Sequence, residues 1–167
     1  MGKADQGVTE SRFAVIPRTL IFVFRGNEIL MIKGNPAKRL WANRYNALGG
    51  HIERGEDVLN AARRELKEES GLEIQDLHLC GTVMIETGQE KGILLLVFWG
   101  EYQGGELSDS VEGTLEWISL SQIDQYELVE DLPVMLPHVI SHRETKRFFS
   151  ARYGYDDQDR LIIAYSS

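Results

Sequence analysis

GHIERGEDVLNAARRELKEESGL, the run from Gly50 to Leu72, decides how the rest of the chain is read. Val58, Ala62 and Leu66 recur every four residues, an apolar stripe of helical period, and Gly71 supplies the stop. The other face is charged. Glu65, Glu68 and Glu69 stand at i, i+3 and i+4, so three carboxylates project from one face within about one turn. Each like-charge neighbour costs about 0.2 to 0.5 kcal/mol, which a bound hard cation offsets. Mg²⁺ is the natural ion and Mn²⁺ the alternative, because such ions take oxygen ligands and bridge carboxylates to substrate phosphates. Alone, Glu-x-x-Glu-Glu is equally the pattern of a solvated face paired with Arg63, Arg64 and Lys67.

Outward from this helix the chain reads mostly as strands. Thr19 to Phe24 and Ile29 to Ile32 flank the turn signal Gly26-Asn27 and predict a hairpin. Gly34 to Arg44, with Pro36 and several basic residues, is a loop leading through Asn46 to Gly49-Gly50. Beyond the helix, Leu77 to Ile85 and Ile93 to Tyr102 predict two long strands joined by a turn at Gly88, and Leu115 to Leu120 a shorter one. Val134 to Phe149 has helical spacing, and Pro137 predicts a late start or an irregular first turn. Leu161 to Tyr165 closes as a strand. This order lacks the regular βα alternation of a doubly wound sheet, which predicts an α+β fold with a mixed sheet flanked by helices.

Composition bounds the rest. The 167 residues suit one domain, with polar residues 1–12 as a flexible N-terminal arm and 13–167 as the folded unit. A formal net charge of −8 is the wrong sign for gripping duplex nucleic acid. Cys80, the single cysteine, excludes an intrachain disulfide and points to a reducing, cytoplasmic setting. No apolar run approaches the roughly 20 residues that span a bilayer, so no membrane association is expected.

The full pattern reads Gly50, five residues, Glu56, seven residues, Arg64-Glu65-Leu66, one residue, Glu68-Glu69, one residue, Gly71-Leu72. At average residue usage this spacing arises by accident with a probability on the order of 10⁻⁷. It resembles, at every fixed position, the 23-residue signature of the Nudix hydrolases, enzymes that split a nucleoside diphosphate linked to another moiety. The resemblance implies an α/β/α sandwich with the signature forming loop, helix and loop over the active site. It further implies that Glu65, Glu68 and Glu69 are metal ligands, together with the Gly49 carbonyl. One of these glutamates, or a glutamate outside the signature, is then the general base. Arg64 orients them by an ion pair, and Glu56 is a structural partner of the helix.

Beyond the signature, the resemblance extends to the 8-oxo-dGTP diphosphatase and oxidised-purine triphosphatase branch. There, Glu112, five residues before Trp117, occupies the place of an extra metal-binding glutamate, with Glu116 as its rival. Asn46 and Asp131 occupy places that read the purine edge, as an amide and a carboxylate together can. Lys33, with Lys38, Arg39 and Arg44, forms a basic patch suited to phosphates. Two departures stand out: Val129 replaces the branch's base-stacking tryptophan and Leu132 a second aspartate, so Phe22, Phe24, Tyr45 and Tyr126 become candidate stacking faces. The implied substrate is a small nucleotide, first a nucleoside triphosphate, in the role of nucleotide-pool sanitisation. ADP-ribose, an ADP-sugar or a dinucleotide comes second, although no proline lies between Pro36 and Pro133 where the ADP-ribose branch expects one. A non-catalytic, nucleotide-sensing module is the reading of another class. The sequence leaves the oligomeric state open.

Overall fold

Strand β1 (Ala14–Arg25) runs at the centre of the sheet. Its apolar run from Leu20 to Phe24 is buried on both faces, which is why it does not alternate with polar residues. Leu20, Phe22 and Phe24 face one core and Ile21 and Val23 the other. In this computed structural model, which describes residues 2, 6–7, 12–37 and 40–166, the further elements are β2 (Glu28–Gly34), β3 (Tyr45–Asn46), α1 (Val58–Ser70), β4 (His78–Ile85), β5 (Lys91–Glu101), β6 (Gly113–Ser119), α2 (Leu132–Thr145), β7 (Phe149–Tyr155) and β8 (Leu161–Tyr165). Most of the predicted N-terminal arm, and Lys38 and Arg39 of the basic patch, lie outside the described residues.

The sheet order is β3-β2-β1-β5-β4-β7-β8, with β6 along the other edge of β2. Two pairs, β1 with β5 and β4 with β7, are parallel and the others antiparallel. This is the expected mixed sheet. Helix α1 brings Ala62 and Leu66 to the core that contains Ile21, Val23, Leu30 and Phe98. Helix α2 brings Leu132, Met135 and Val139 to the opposite core with Phe22, Phe24, Val83 and Tyr153. The molecule is therefore an α+β sandwich with one helix on each face.

The registers reveal a split that positions everything described below. β1 and β2 pair only at their hairpin end, from Arg25↔Glu28 to Val23↔Leu30. Past that point they separate, and the segment from Tyr45 to His51 fills the gap. Tyr45 and Asn46 pair with Lys33 and Ile32 of β2, while Leu48 bridges Ile21 and His51 bridges Arg18 of β1. Thr19 N–H donates to the Gly50 carbonyl at 2.8 Å.

Helix α1 starts because the Asp57 carboxylate accepts the Leu59 and Asn60 N–H groups, each at 3.0 Å, and it ends at Gly71 in the left-handed region. Val58 of the predicted stripe is 40% exposed; the buried face runs through Ala61, Ala62 and Leu66 instead. Helix α2 begins at Leu132, ahead of Pro137, so the predicted late start is corrected. Pro133 occupies the first turn, where a missing N–H costs nothing, and Pro137 removes one bond to the carbonyl four residues back. The helix also stops at Thr145 rather than Phe149, with Lys146 left-handed, and β7 follows at once. Near its C-terminus Trp99 Nε1–H donates to Nδ1 of the buried His142 at 2.9 Å.

Candidate functional site

The split in the sheet brings the Gly49-Gly50 corner against the charged face of α1. Gly49 has φ +132°, and a Cβ there would run into the Thr19 carbonyl, so only glycine fits. Gly50 is closed to a side chain for another reason. A Cβ built on it would stand 2.6 Å from the Glu65 carboxylate, which lies flat against the glycine. Gly49 N–H donates to Glu69 Oε2 at 2.8 Å, tying the last glutamate of the helix to the same corner. Gly50 N–H reaches the Thr19 hydroxyl at 3.3 Å.

Arg64 organises the remaining acids. Its guanidinium grips Glu56 through Nε at 2.7 Å and Nη2 at 3.0 Å, a bidentate pair. Nη1 donates to Glu65 Oε1 and to Glu68 Oε2, both at 3.0 Å, and Nη2 also reaches the His51 carbonyl at 3.0 Å. These bonds, above all those to Glu56, push the Arg64 pKa up. The same hydrogen bonds, aided by Glu53 N–H at 3.0 Å, hold the Glu56 carboxyl down at about 2. Glu56 therefore stays ionised across the physiological range as a clamp on Arg64. His51 and Thr19 are participants that sequence reasoning missed, and no local pattern marks either.

The structure thus gathers Gly49, Gly50, Glu56, Arg64, Glu65, Glu68 and Glu69 around one corner. All its acidic donors are oxygens, which suits a hard divalent ion and not a thiolate-seeking one. Among the described residues, however, no three acidic, histidine or cysteine side chains converge as a ready-made metal group. Glu65 and Glu68 share Arg64, Glu69 is turned to the Gly49 amide, and Glu112 is not brought into a group with them. Glu112 sits in the turn before β6, its carbonyl accepting Asn35 N–H at 3.1 Å. Its rival Glu116 accepts the Tyr45 hydroxyl at 2.6 Å instead. Burial and that bond raise the Tyr45 phenol to about 12.

The predicted base-reading residues are separated by role. Asn46 lies in the split, its side-chain oxygen accepting Ala47 N–H at 2.9 Å. Asp131 stands at the N-cap position of α2 without making a capping bond, and burial raises its pKa. Lys33 places its ammonium 5.5 Å above the Tyr45 ring. Of the candidate stacking faces, Phe22 and Phe24 are fully buried in the core and cannot meet a base; Val129 and Leu132 are buried there too. Tyr126 packs edge-on against Tyr45 with ring centroids 5.2 Å apart. Two clefts, of about 910 and 820 Å³, lie elsewhere, one beside the β7–β8 hairpin and one beside α2, and neither is lined by a residue of the 50–72 signature.

Comparison with known proteins agrees with this geometry. The NUDIX domain model matches residues 15–139. The chain is 30% identical over 149 residues to the oxidized purine nucleoside triphosphate hydrolase of Mus musculus, covering 89% of this chain and 91% of that protein. Its fold is similar to that of the mutator MutT protein from Bacillus halodurans, with a TM-score of 0.75 at 22% identity over 91% of this chain and 97% of that one. It is also similar to the NUDIX domain of Shewanella oneidensis NrtR, solved with ADP ribose, with a TM-score of 0.67 at 12% identity over 86% and 99% of the two chains. No helix among the described residues is long and apolar enough to cross a membrane. Hydrolases with this domain act on small nucleotides and generally use divalent metal ions. With the signature complete and its side chains gathered at one corner of the sheet, the chain belongs to the Nudix family of hydrolases.

Proposed function

We propose that this hydrolase cleaves a nucleoside triphosphate, an oxidised purine nucleotide foremost, to the monophosphate and pyrophosphate, in a cytoplasmic, pool-sanitising role and with Mg²⁺ as its ion. The observation that carries the reaction is the corner itself: Glu65 and Glu69 of one helix turn set against a glycine pair, with Glu68 of the same turn held to Glu65 through Arg64. Support for the substrate comes from the extent of the likeness to the murine enzyme, which spans nine-tenths of both proteins. Support for base reading comes from Asp131, a half-buried carboxyl that caps nothing.

Glu65, Glu68, Glu69 and the Gly49 carbonyl would hold the ion, with Glu112 approaching from the turn before β6. When bound, it neutralises charge on the bridging phosphates and raises the acidity of the attacking water. The chain's own groups do the rest. Arg64, anchored by Glu56, holds Glu65 and Glu68 by hydrogen bonds and limits their rotation, so the entropy of ordering them is met before substrate arrives. Turning Glu69 off the Gly49 amide frees a carboxylate to take the proton from water, in line with the scissile phosphorus. Lys33 approaches the phosphates from β2. Asn46 and Asp131 orient the base.

The test is hydrolysis, followed by chromatography of the products, of 8-oxo-dGTP, the ordinary dNTPs, ADP-ribose, a diadenosine polyphosphate and capped RNA, each with and without Mg²⁺ and alongside Glu69→Gln. Selective, Mg²⁺-dependent turnover of the oxidised purine, lost in Glu69→Gln, is the expected result. Preference for ADP-ribose would overturn the substrate, full turnover by Glu69→Gln the role of that residue, and nucleotide binding without turnover would favour a sensor.

A further inference from the structure

Strand β8 ends the sheet with one side open. Asp156 N–H donates to the Arg160 carbonyl at 3.0 Å and Ser166 N–H to the Ser150 carbonyl at 2.8 Å, so the even-numbered residues of β8 exchange hydrogen bonds with β7. The N–H and carbonyl groups of Leu161, Ile163 and Tyr165 therefore point the other way, and among the described residues no strand pairs with them. The far end of the sheet is treated differently. There the Asp109 carboxylate accepts the N–H of Leu115 on β6 at 2.9 Å, and Glu116 places a charge in that strand. β8 reads Leu-Ile-Ile-Ala-Tyr, without a charge, a proline or a bulge, the devices that keep an edge from pairing.

The strand that fits this edge is β8 itself. Turned about a two-fold axis at Ile163, a second copy sets Leu161 opposite Tyr165 and Ile163 opposite its own counterpart, so that every outward N–H faces a carbonyl. Each of these facing pairs exchanges two hydrogen bonds. On the face away from α2, Ile162 meets Ala164 of the second copy, which covers a side chain now 53% exposed. The pairs are β-branched, aromatic or aliphatic, and no like charges stand opposite one another. An acidic or a basic peptide would find no charge on β8 to read, whereas an identical strand matches it at each position. Repulsion between two chains of net charge −8 is screened at physiological salt beyond about 8 Å. Ile162 and Ala164 also line the cleft beside the β7–β8 hairpin, so pairing continues that cleft across the axis.

We infer that the open edge of β8 is the surface through which two copies of this chain join, antiparallel about Ile163, into one continuous sheet. Sedimentation velocity over a wide range of concentration should show the mass rising from one chain to two. Amide exchange should show the geometry: the N–H groups of Leu161, Ile163 and Tyr165 become protected as the dimer forms, while those of Ile162 and Ala164 are protected in the monomer already. Ile163→Pro removes an edge donor from each copy and takes nothing from the β7 pairing. It should weaken association about a hundredfold, the worth of the two hydrogen bonds lost. A variant that leaves Ile163 in place gives a second readout. Ile162 and Ala164 face each other across the axis as a non-hydrogen-bonded pair, close enough for a disulfide. Ile162→Cys/Ala164→Cys should therefore form a cross-linked dimer in air and Ile162→Cys alone should not; Cys80 is buried and does not compete. Turnover should be unchanged in these variants, because β8 lies away from the glycine corner. A single-chain mass at every concentration would overturn the inference. So would a dimer whose Leu161, Ile163 and Tyr165 amides still exchange freely, or one that Ile163→Pro leaves intact.

Discussion

Gly50→Ala is the sharpest perturbation of the candidate site, because it adds a single methyl group directly against a carboxylate. The new Cβ would stand 2.6 Å from the Cδ and both oxygens of Glu65. Ordinary contact begins near 3.4 Å, so the carboxylate must retreat by about 0.8 Å. It can do so, being the far end of a flexible side chain, and Gly50 does not hold a positive φ. The fold should therefore tolerate the change, with the unfolded-state entropy of glycine removed to a benefit of about 0.4 to 1 kcal/mol. Catalysis should not, since misplacing a catalytic group by about 1 Å costs on the order of 10²-fold. The assay is kcat/KM for the best nucleotide over a Mg²⁺ titration, with the melting temperature measured in parallel. Gly154→Ala, where a Cβ meets nothing within 4 Å, is the control. Wild-type kcat/KM and an unshifted Mg²⁺ midpoint in a folded Gly50→Ala protein would refute the placement of Glu65 in the metal site.

Two further outcomes follow from buried groups away from the site. His142 must remain neutral to accept Trp99 Nε1–H, and burial, then Lys146 and His78, hold its pKa below the ordinary 6.5. The unfolded chain takes up that proton first, so the contribution is whole above about pH 6.5 and declines as the pH falls toward the native value. Urea midpoints between pH 7.5 and 5 should fall in wild type and fall less in His142→Gln; parallel curves would dismiss the idea. Burial also pushes the Cys80 thiol up to about 12, and its Sγ donates to the Val97 carbonyl at 3.3 Å. A thiol reagent should consequently find it only after denaturant is added, and rapid labelling of native protein would contradict its placement.

What was legible in the sequence was local. The hairpin, the long strands and α1 each carry their own period, and the signature from Gly50 to Leu72 carries its own spacing. Strand β7 does alternate, with Phe149, Ala151 and Tyr153 inward and Ser150, Arg152 and Gly154 between them, but Phe149 also continues the helical spacing of α2, which hides where the strand starts. Its identity comes from parallel pairing with Gly81 to Ile85, nearly seventy residues earlier. The two-residue β3 is likewise made by its neighbours. Within the site, the acidic face could be read and the bond from Tyr45 to Glu116 could not, since 71 residues separate them. Val58 misled because a period of four marks a helix face without saying where the partner layer ends.

The stretch from Tyr45 to His51, threaded between β1 and β2, also dictates where this chain can change length. Its backbone is laced to Lys33 and Ile32 on one side and to Ile21 and Arg18 on the other. One inserted residue would put both seams out of step and turn each alternate side chain to the wrong core. The preceding loop, from Gly34 to Arg44, is closed at its ends, where Gly34 N–H meets the Arg44 carbonyl at 2.9 Å and Asn43 N–H the Gly34 carbonyl at 3.0 Å. Insertions and deletions should be absorbed there, so that a library diversifying this loop could alter what reaches the glycine corner while the distance from that corner to α1 stays fixed.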